Sequence, residues 1–243
     1  MKEHHYQDMY DGEMSHWWYR VRREMVHDII ATYFPVRYDL RILDVGCGAG
    51  ALLSELAQYG SATGIDMSPK AVAFCRARGV GDVSVSTAER IAAPDAAFDI
   101  VLALDVLEHI KDDHAAVREM RRVLRPGGVA IVFVPAFMFL WGVTDVLSEH
   151  YRRYTRPGIT SVFAAEELSI VRSSYFNTFL FPPIALIRLL VRLFRIPVRS
   201  ENAVDDSFFN KMFYAVFHME SRLLRHINMP FGVSVLVIAR KPI

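Results

Sequence analysis

The sequence predicts an α/β protein whose sheet is mostly parallel and wound by helices on both faces. Short apolar runs alternate with helical stretches along residues 41–134, and proline or glycine marks most changes of direction. Strands that alternate with helices pair in parallel through right-handed crossovers. The chain has 243 residues and is 52% hydrophobic, enough for one large domain with a sizeable core.

In order, residues 13–34 form an amphipathic helix. Trp17, Val21, Met25, Ile29 and Tyr33 recur at near-helical spacing, Arg20, Arg22 and Arg23 sit between them, and Pro35 ends the run. Residues 41–45 read as a buried strand, 46–50 as a tight glycine turn and 51–59 as a helix. Residues 62–65 are a strand, after which Ser68 and Pro69 open a helix, with proline at its first position. Strands follow at 80–85 and 98–104. Asp112 or Asp113 caps a helix to about 124, 125–128 turn, and 129–134 are a strand.

Beyond Pro135 the pattern loosens. Residues 137–141 are aromatic and 150–156 basic and tyrosine-rich. A short helix at 159–167 and a strand at 169–175 come next. Residues 179–194 are strongly apolar around Pro182 and Pro183, 208–226 read as an amphipathic helix, and 232–239 as an apolar strand.

Composition narrows the function. The 28 basic and 27 acidic residues balance, which argues against a nucleic-acid partner. Cys47 and Cys75 match no zinc spacing and read as two free thiols in a reducing compartment. The polar stretch at 1–11 lacks the apolar core of a secretory signal, and no run of about 18 apolar residues occurs. A cytoplasmic protein is expected, with peripheral contact at the inner membrane surface left open.

Gly46, Gly48 and Gly50 lie between a strand and a helix, where glycine lets the backbone approach a ligand and the helix start offers free amides. Asp66, at the end of the next strand, is placed to grip ribose hydroxyls. Gly46, Gly48 and Ala51 also fit a dinucleotide fingerprint. Asp44, just before the turn, favours a cationic ligand group over a pyrophosphate.

The run from Ile42 to Gly50, ILDVGCGAG, resembles the first motif of class I S-adenosylmethionine-dependent methyltransferases. Gly64-Ile-Asp-Met-Ser68 resembles their second, the run from Phe98 to Ile110 their fourth-strand motif, and Leu124-Arg-Pro-Gly-Gly128 the turn before their fifth strand. The resemblance implies a Rossmann-like, doubly wound, seven-stranded sheet whose last strand is antiparallel, inserted between the fifth and sixth. It adds an N-terminal helix and a helical insertion before that last strand. It implies S-adenosyl-L-methionine as cofactor, yielding S-adenosyl-L-homocysteine. Asp44, Gly46, Cys47, Gly48 and Gly50 would flank its methionine part, Asp66 its ribose and Met67 its adenine, with Leu104 near the site. Thr87 stands where the family often has an acid on the adenine amine; Thr87, Ala88 and Glu89 are the candidates there.

One domain is expected: a helical cap at 1–36, a cofactor-binding half at 40–135, and a substrate-side half at 136–243 with an insertion at about 177–229. Methyl transfer to a hydroxyl needs alignment, exclusion of water and a base, but no metal. His109 and His150 are the candidate bases. His16, Trp17, Tyr151, Arg152 and Arg153 are candidates for the substrate, the arginines for an anionic group. Arg188, Arg192 and Arg195 share a helical face in the insertion, which suits a lid, a subunit contact or a membrane surface with arginines at the headgroups. The expected activity is methyl transfer to an oxygen or nitrogen of a small-molecule, saccharide or lipid-linked acceptor. The alternatives are a catalytically silent S-adenosylmethionine-binding partner subunit and an NAD-dependent oxidoreductase. Oligomerisation stays open.

Overall fold

A computed structural model of the chain describes residues 3–194 and 207–243. Seven strands form one sheet: β1 (Leu40–Val45), β2 (Gly60–Asp66), β3 (Val83–Val85), β4 (Phe98–Leu104), β5 (Leu124–Pro135), β6 (Ser169–Phe176) and β7 (Ser234–Arg240). Their order is β3-β2-β1-β4-β5-β7-β6, parallel from β3 through β5, with β7 antiparallel to both its neighbours. The central strands are buried on both faces, as a sheet covered on both sides requires. The sheet order reverses between β1 and β4, so the carboxyl ends of those strands open the crevice where such sheets bind ligands.

Nine helices are described: α1 (Glu3–Gly12), α2 (Trp17–Tyr33), α3 (Ala51–Leu56), α4 (Pro69–Ala77), α5 (Asp113–Val123), α6 (Val143–Leu147), α7 (Arg156–Ala165), α8 (Phe181–Phe194) and α9 (Ser207–Leu224). Local chemistry sets several starts. The Ser68 hydroxyl accepts from the Ala71 amide, the Asp112 carboxylate from Ala115 at 3.0 Å, and the Thr155 hydroxyl from Gly158 at 3.1 Å. Helix α5 buries Ala116, Val117, Met120 and Val123 on one stripe.

The structure departs from the sequence reading in several places. The stretch read as one helix from residue 13 starts instead at Trp17, where the His16 ring accepts from the Trp18 amide at 3.3 Å. Ahead of it lies α1, a polar segment without apolar periodicity. Its order comes from tertiary contacts: Tyr6 is buried, and Tyr10 stacks on Phe74 of α4 with ring centroids 4.6 Å apart. β5 begins at Leu124, earlier than expected, because Leu124 pairs with Phe98 and draws the glycine turn into the ladder.

The second helix of the insertion clamps the N-terminal region. Trp17 packs against Phe213 and Phe217 of α9, and Glu24 on α2 accepts from the Tyr214 hydroxyl and meets the His218 ring, both at 2.8 Å. Helix α8 keeps its leucines off the domain. Arg188 turns inward to the Leu140 carbonyl and lies 3.8 Å from buried Asp145, while leucines face outward. An ion pair with a fully buried carboxylate decides the helix's rotation. Arg192 is exposed, and Arg195 lies outside the described residues.

Candidate functional site

The glycine turn follows β1 and is fixed to β2. The amides of Gly46 and Cys47 donate to the Ile65 carbonyl at 2.7 and 3.0 Å. Gly46, Gly48 and Gly50 have φ of +70°, +56° and +85°, conformations that L side chains rarely adopt. A Cβ on Gly46 would lie 2.5 Å from the Val106 side chain, and one on Gly48 2.7 Å from the Met9 sulfur. The first contact packs the turn against the segment that leaves β4.

Asp66 closes the cradle. Its carboxylate accepts from the Gly48 amide at 3.1 Å, the Ser68 amide at 2.9 Å and the Tyr6 hydroxyl at 3.3 Å. Glu13, just past α1, accepts from the Ala51 amide at the start of α3 at 3.2 Å and sits 3.5 Å from Arg78. Helix α1 therefore lies over the cradle.

Asp44, Asp66 and Glu13 together make a buried acidic group. Burial pushes Asp44 up to about 8, and Glu13 and Asp66 add to it. Burial also pushes Glu13 up to about 7, with Arg78 opposing, and raises Asp66. Carboxylates crowded out of water favour a cationic ligand, whose charge would restore their ionised forms.

The remaining cofactor candidates vary in setting. Cys47 is buried with its sulfur 3.8 Å from that of Cys75. Met67 is exposed after β2 and Leu104 half-buried at the end of β4. Thr87 and Glu89 are exposed, Ala88 is buried, and Thr87 bridges to Arg90 through its backbone.

A second polar group lies beyond β4, reached through Val106. Asp105 has φ of +57° and pairs with Arg22 of α2, whose guanidinium lies over the Trp18 and Phe133 rings. Glu108 is buried with both carboxylate oxygens lacking a hydrogen-bond partner, and so are Nε and Nη2 of Arg22. Burial, and then Asp105, drive Glu108 well above the usual carboxylate range. The His109 and His150 rings meet edge to face, centroids 4.5 Å apart. Burial, and then His150, lower His109 to about 4. One ligand atom from each of Glu108, His109 and His150 lies within 4.8 Å of the others, a spacing able to hold a metal ion. The sequence reading had no metal there.

His150 is held from behind. Its Nδ1 lies 2.8 Å from Asp145, which is fully buried and also accepts from Arg153 Nε at 2.7 Å and from the Gly142 amide at 2.7 Å. The hydrogen bonds from His150 and Arg153 outweigh burial and hold Asp145 far below the usual carboxylate range. The segment folds back onto β4 because the Tyr151 amide donates to the Glu108 carbonyl at 2.7 Å and the Tyr154 hydroxyl to Asp113 at 2.8 Å.

The structure gives the substrate candidates partners of their own. Arg153 is buried on Asp145, and Arg152 pairs with Asp113 at 2.9 Å while its side chain stays one-third exposed. Trp17 sits in an aromatic cluster with Trp18, Phe213 and Phe217, and its buried indole N–H has no hydrogen-bond partner. Tyr151 is exposed, and His16 caps α2. Sequence reasoning missed Tyr6 and Glu13 over the cradle, and Arg22 and Asp105 beside Glu108. Arg22 carried a signal: a cation next to the apolar stripe of an amphipathic helix.

Comparison with known proteins adds to this geometry. A family model described as a methyltransferase domain matches residues 43–132. The ubiquinone biosynthesis O-methyltransferase of Xanthomonas oryzae pv. oryzae is 39% identical over 106 residues, 40% of this chain and 44% of that protein. The chain thus spans less than half the length of that curated relative. A putative methyltransferase from Haloferax volcanii, solved with the Trm112 activator, superposes with a TM-score of 0.63 at 17% identity, covering 99% of this chain and 95% of that one. Phosphoethanolamine N-methyltransferase 2 of Haemonchus contortus, solved with S-adenosyl-L-methionine, gives 0.58 at 19% identity over 89% of this chain and 52% of that one. At these identities the solved structures share the fold.

Proposed function

We propose, from the premise that this chain belongs to the class I S-adenosylmethionine-dependent methyltransferases, that it methylates a hydroxyl oxygen of a small-molecule acceptor. The observation that carries the reading is the buried acidic group of Asp44, Asp66 and Glu13, crowded and under-compensated beside a glycine turn. An anionic dinucleotide would add to that repulsion; a sulfonium nucleoside with a free amino group relieves it. The choice of oxygen follows the Xanthomonas relative, named for O-methylation.

The cofactor supplies an electrophilic methyl group. The chain supplies the rest. Asp66 is placed for ribose hydroxyls, which would take the position the Tyr6 hydroxyl holds, and Asp44 for the cationic end. The orphaned atoms of Arg22 and Glu108 offer donors and acceptors to a polar acceptor molecule. With Nδ1 of His150 donating to Asp145, its Nε2 is free to take the hydroxyl proton, and Asp145 stabilises the imidazolium that forms. His109, kept neutral by burial, packs against His150 and orients it.

Calorimetry with S-adenosylhomocysteine and with NAD, followed by transfer of labelled methyl to phenolic, saccharide and lipid-linked hydroxyls, tests this. Binding of the homocysteine nucleoside with transfer to one of these classes is expected. Binding without transfer to any would favour a silent partner subunit. NAD binding alone would overturn the cofactor assignment as well.

A further inference from the structure

We infer that Glu108, His109 and His150 form a binding site for one divalent cation of the zinc class. Glu108 and His109 stand on a single turn, Leu107–His109, that follows β4. His150 is brought to them by the Tyr151 amide, which donates to the Glu108 carbonyl at 2.7 Å. One nitrogen from each ring and one carboxylate oxygen then lie within 4.8 Å of one another. Bonds to zinc of about 2.0–2.2 Å put tetrahedral neighbours roughly 3.4 Å apart. Small rotations of the three side chains would close that difference.

Two further observations point to a cation. Glu108 is 1% exposed, and neither of its carboxylate oxygens has a hydrogen-bond partner. A bare buried carboxylate is costly, and a cation bound to it removes the cost. The two guanidiniums whose charge reaches it have anions of their own: Arg22 pairs with Asp105, and Arg153 with Asp145. The rings are also held ready. Nδ1 of His150 is fixed on Asp145 at 2.8 Å, and the Ser148 backbone hydrogen-bonds the His109 ring. With one nitrogen of each ring held from behind, the other presents its lone pair. Metal-binding histidines are supported in this way, by a carboxylate or a backbone carbonyl on the far nitrogen. Two imidazoles and one carboxylate suit zinc or cobalt and leave a coordination position open. Magnesium and calcium prefer oxygen ligands.

The inference goes beyond methyl transfer, since its test reads metal binding. It touches that reading at one atom. Nε2 of His150 takes either the cation or the acceptor's proton, so saturating Zn²⁺ should slow transfer and a chelator should restore it.

The full chain, stripped with a chelator, is titrated with Zn²⁺, Co²⁺ and Mg²⁺ by calorimetry. One Zn²⁺ per chain, with Co²⁺ weaker and Mg²⁺ not bound, is expected. Asp145→Asn, which loosens the His150 ring, should weaken Zn²⁺ about 10- to 100-fold. Glu108→Gln and His150→Ala should each cost more. His114→Ala, away from the site, should change nothing, and neither should His4→Ala with His5→Ala. Unchanged circular dichroism and S-adenosylhomocysteine affinity would separate lost ligation from lost folding. X-ray absorption of the loaded chain should show two imidazoles and no sulfur. The inference is overturned by a wild type without saturable Zn²⁺ binding, by zinc held through sulfur, or by affinity kept when Glu108→Gln and His150→Ala are combined. Faster transfer on loading would uphold the site and take the role of base from His150.

Discussion

Asp66 and Glu108 are both buried carboxylates at the carboxyl edge of the sheet, yet they are treated in opposite ways. Asp66 receives three donors, two of them backbone amides of the turn and strand end that present it. Glu108 receives none at either oxygen, and two nitrogens of the nearby Arg22 are equally unpaired. Orphaned buried polar groups are costly and rare. Asp66 is thus held by donors of its own chain, while Glu108 is left for a ligand to complete. The contrast matches a constant cofactor beside a variable acceptor.

The sharpest way to break the contrast is to remove the support of the acceptor side. Asp145→Ala should destabilise the chain by about 3–5 kcal/mol, because Arg153 is then left buried without its anion and half-buried Arg188 loses the nearby carboxylate; urea unfolding reads it. His150→Ala should lower the rate of methyl transfer roughly 10²- to 10⁴-fold. Cofactor affinity, measured by calorimetry, should stay unchanged, since His150 lies off the cradle; a parallel loss of affinity would merge the two sides.

On the cofactor side, Asp66→Ala should weaken S-adenosylhomocysteine binding by about 1–3 kcal/mol, the loss from unpaired ribose hydroxyls. The smallest effect is a pH dependence. Asp44 titrates near 8 in the free protein, so it holds its proton at neutral pH, and a bound cation favours the ionised form. Binding of S-adenosylmethionine must then release a proton. Affinity should rise with pH, by up to about tenfold per unit below 8, and level off above it. Calorimetry in buffers of differing ionisation enthalpy would count the proton; none released would contradict the Asp44 role.

The cradle was legible in the sequence because its parts are near in the chain and set by local rules. Gly46, Gly48 and Gly50 need positive φ, and Asp66 ends the strand paired beside β1. Tyr6 and Glu13 were not legible, since they reach Asp66 and Ala51 across 60 and 38 residues from a polar segment with no periodic pattern. Arg152 and Arg153 looked available for an anion because sequence displays charges without their partners. The order of the strands was readable from the alternating runs, and the family resemblance supplied β7 between β5 and β6, while the ends of β3 and β5 were not.

The order of strands and helices, the glycine turn and the acid that closes it followed from the residues themselves, because periodicity, caps and backbone freedom act over a few positions. Which charges meet a partner, and therefore which remain for a ligand, was decided only when distant segments packed. Asp145 shows why: one carboxylate sealed from water collects His150, Arg153 and Arg188, and in doing so aims a histidine and turns a helix's leucines outward.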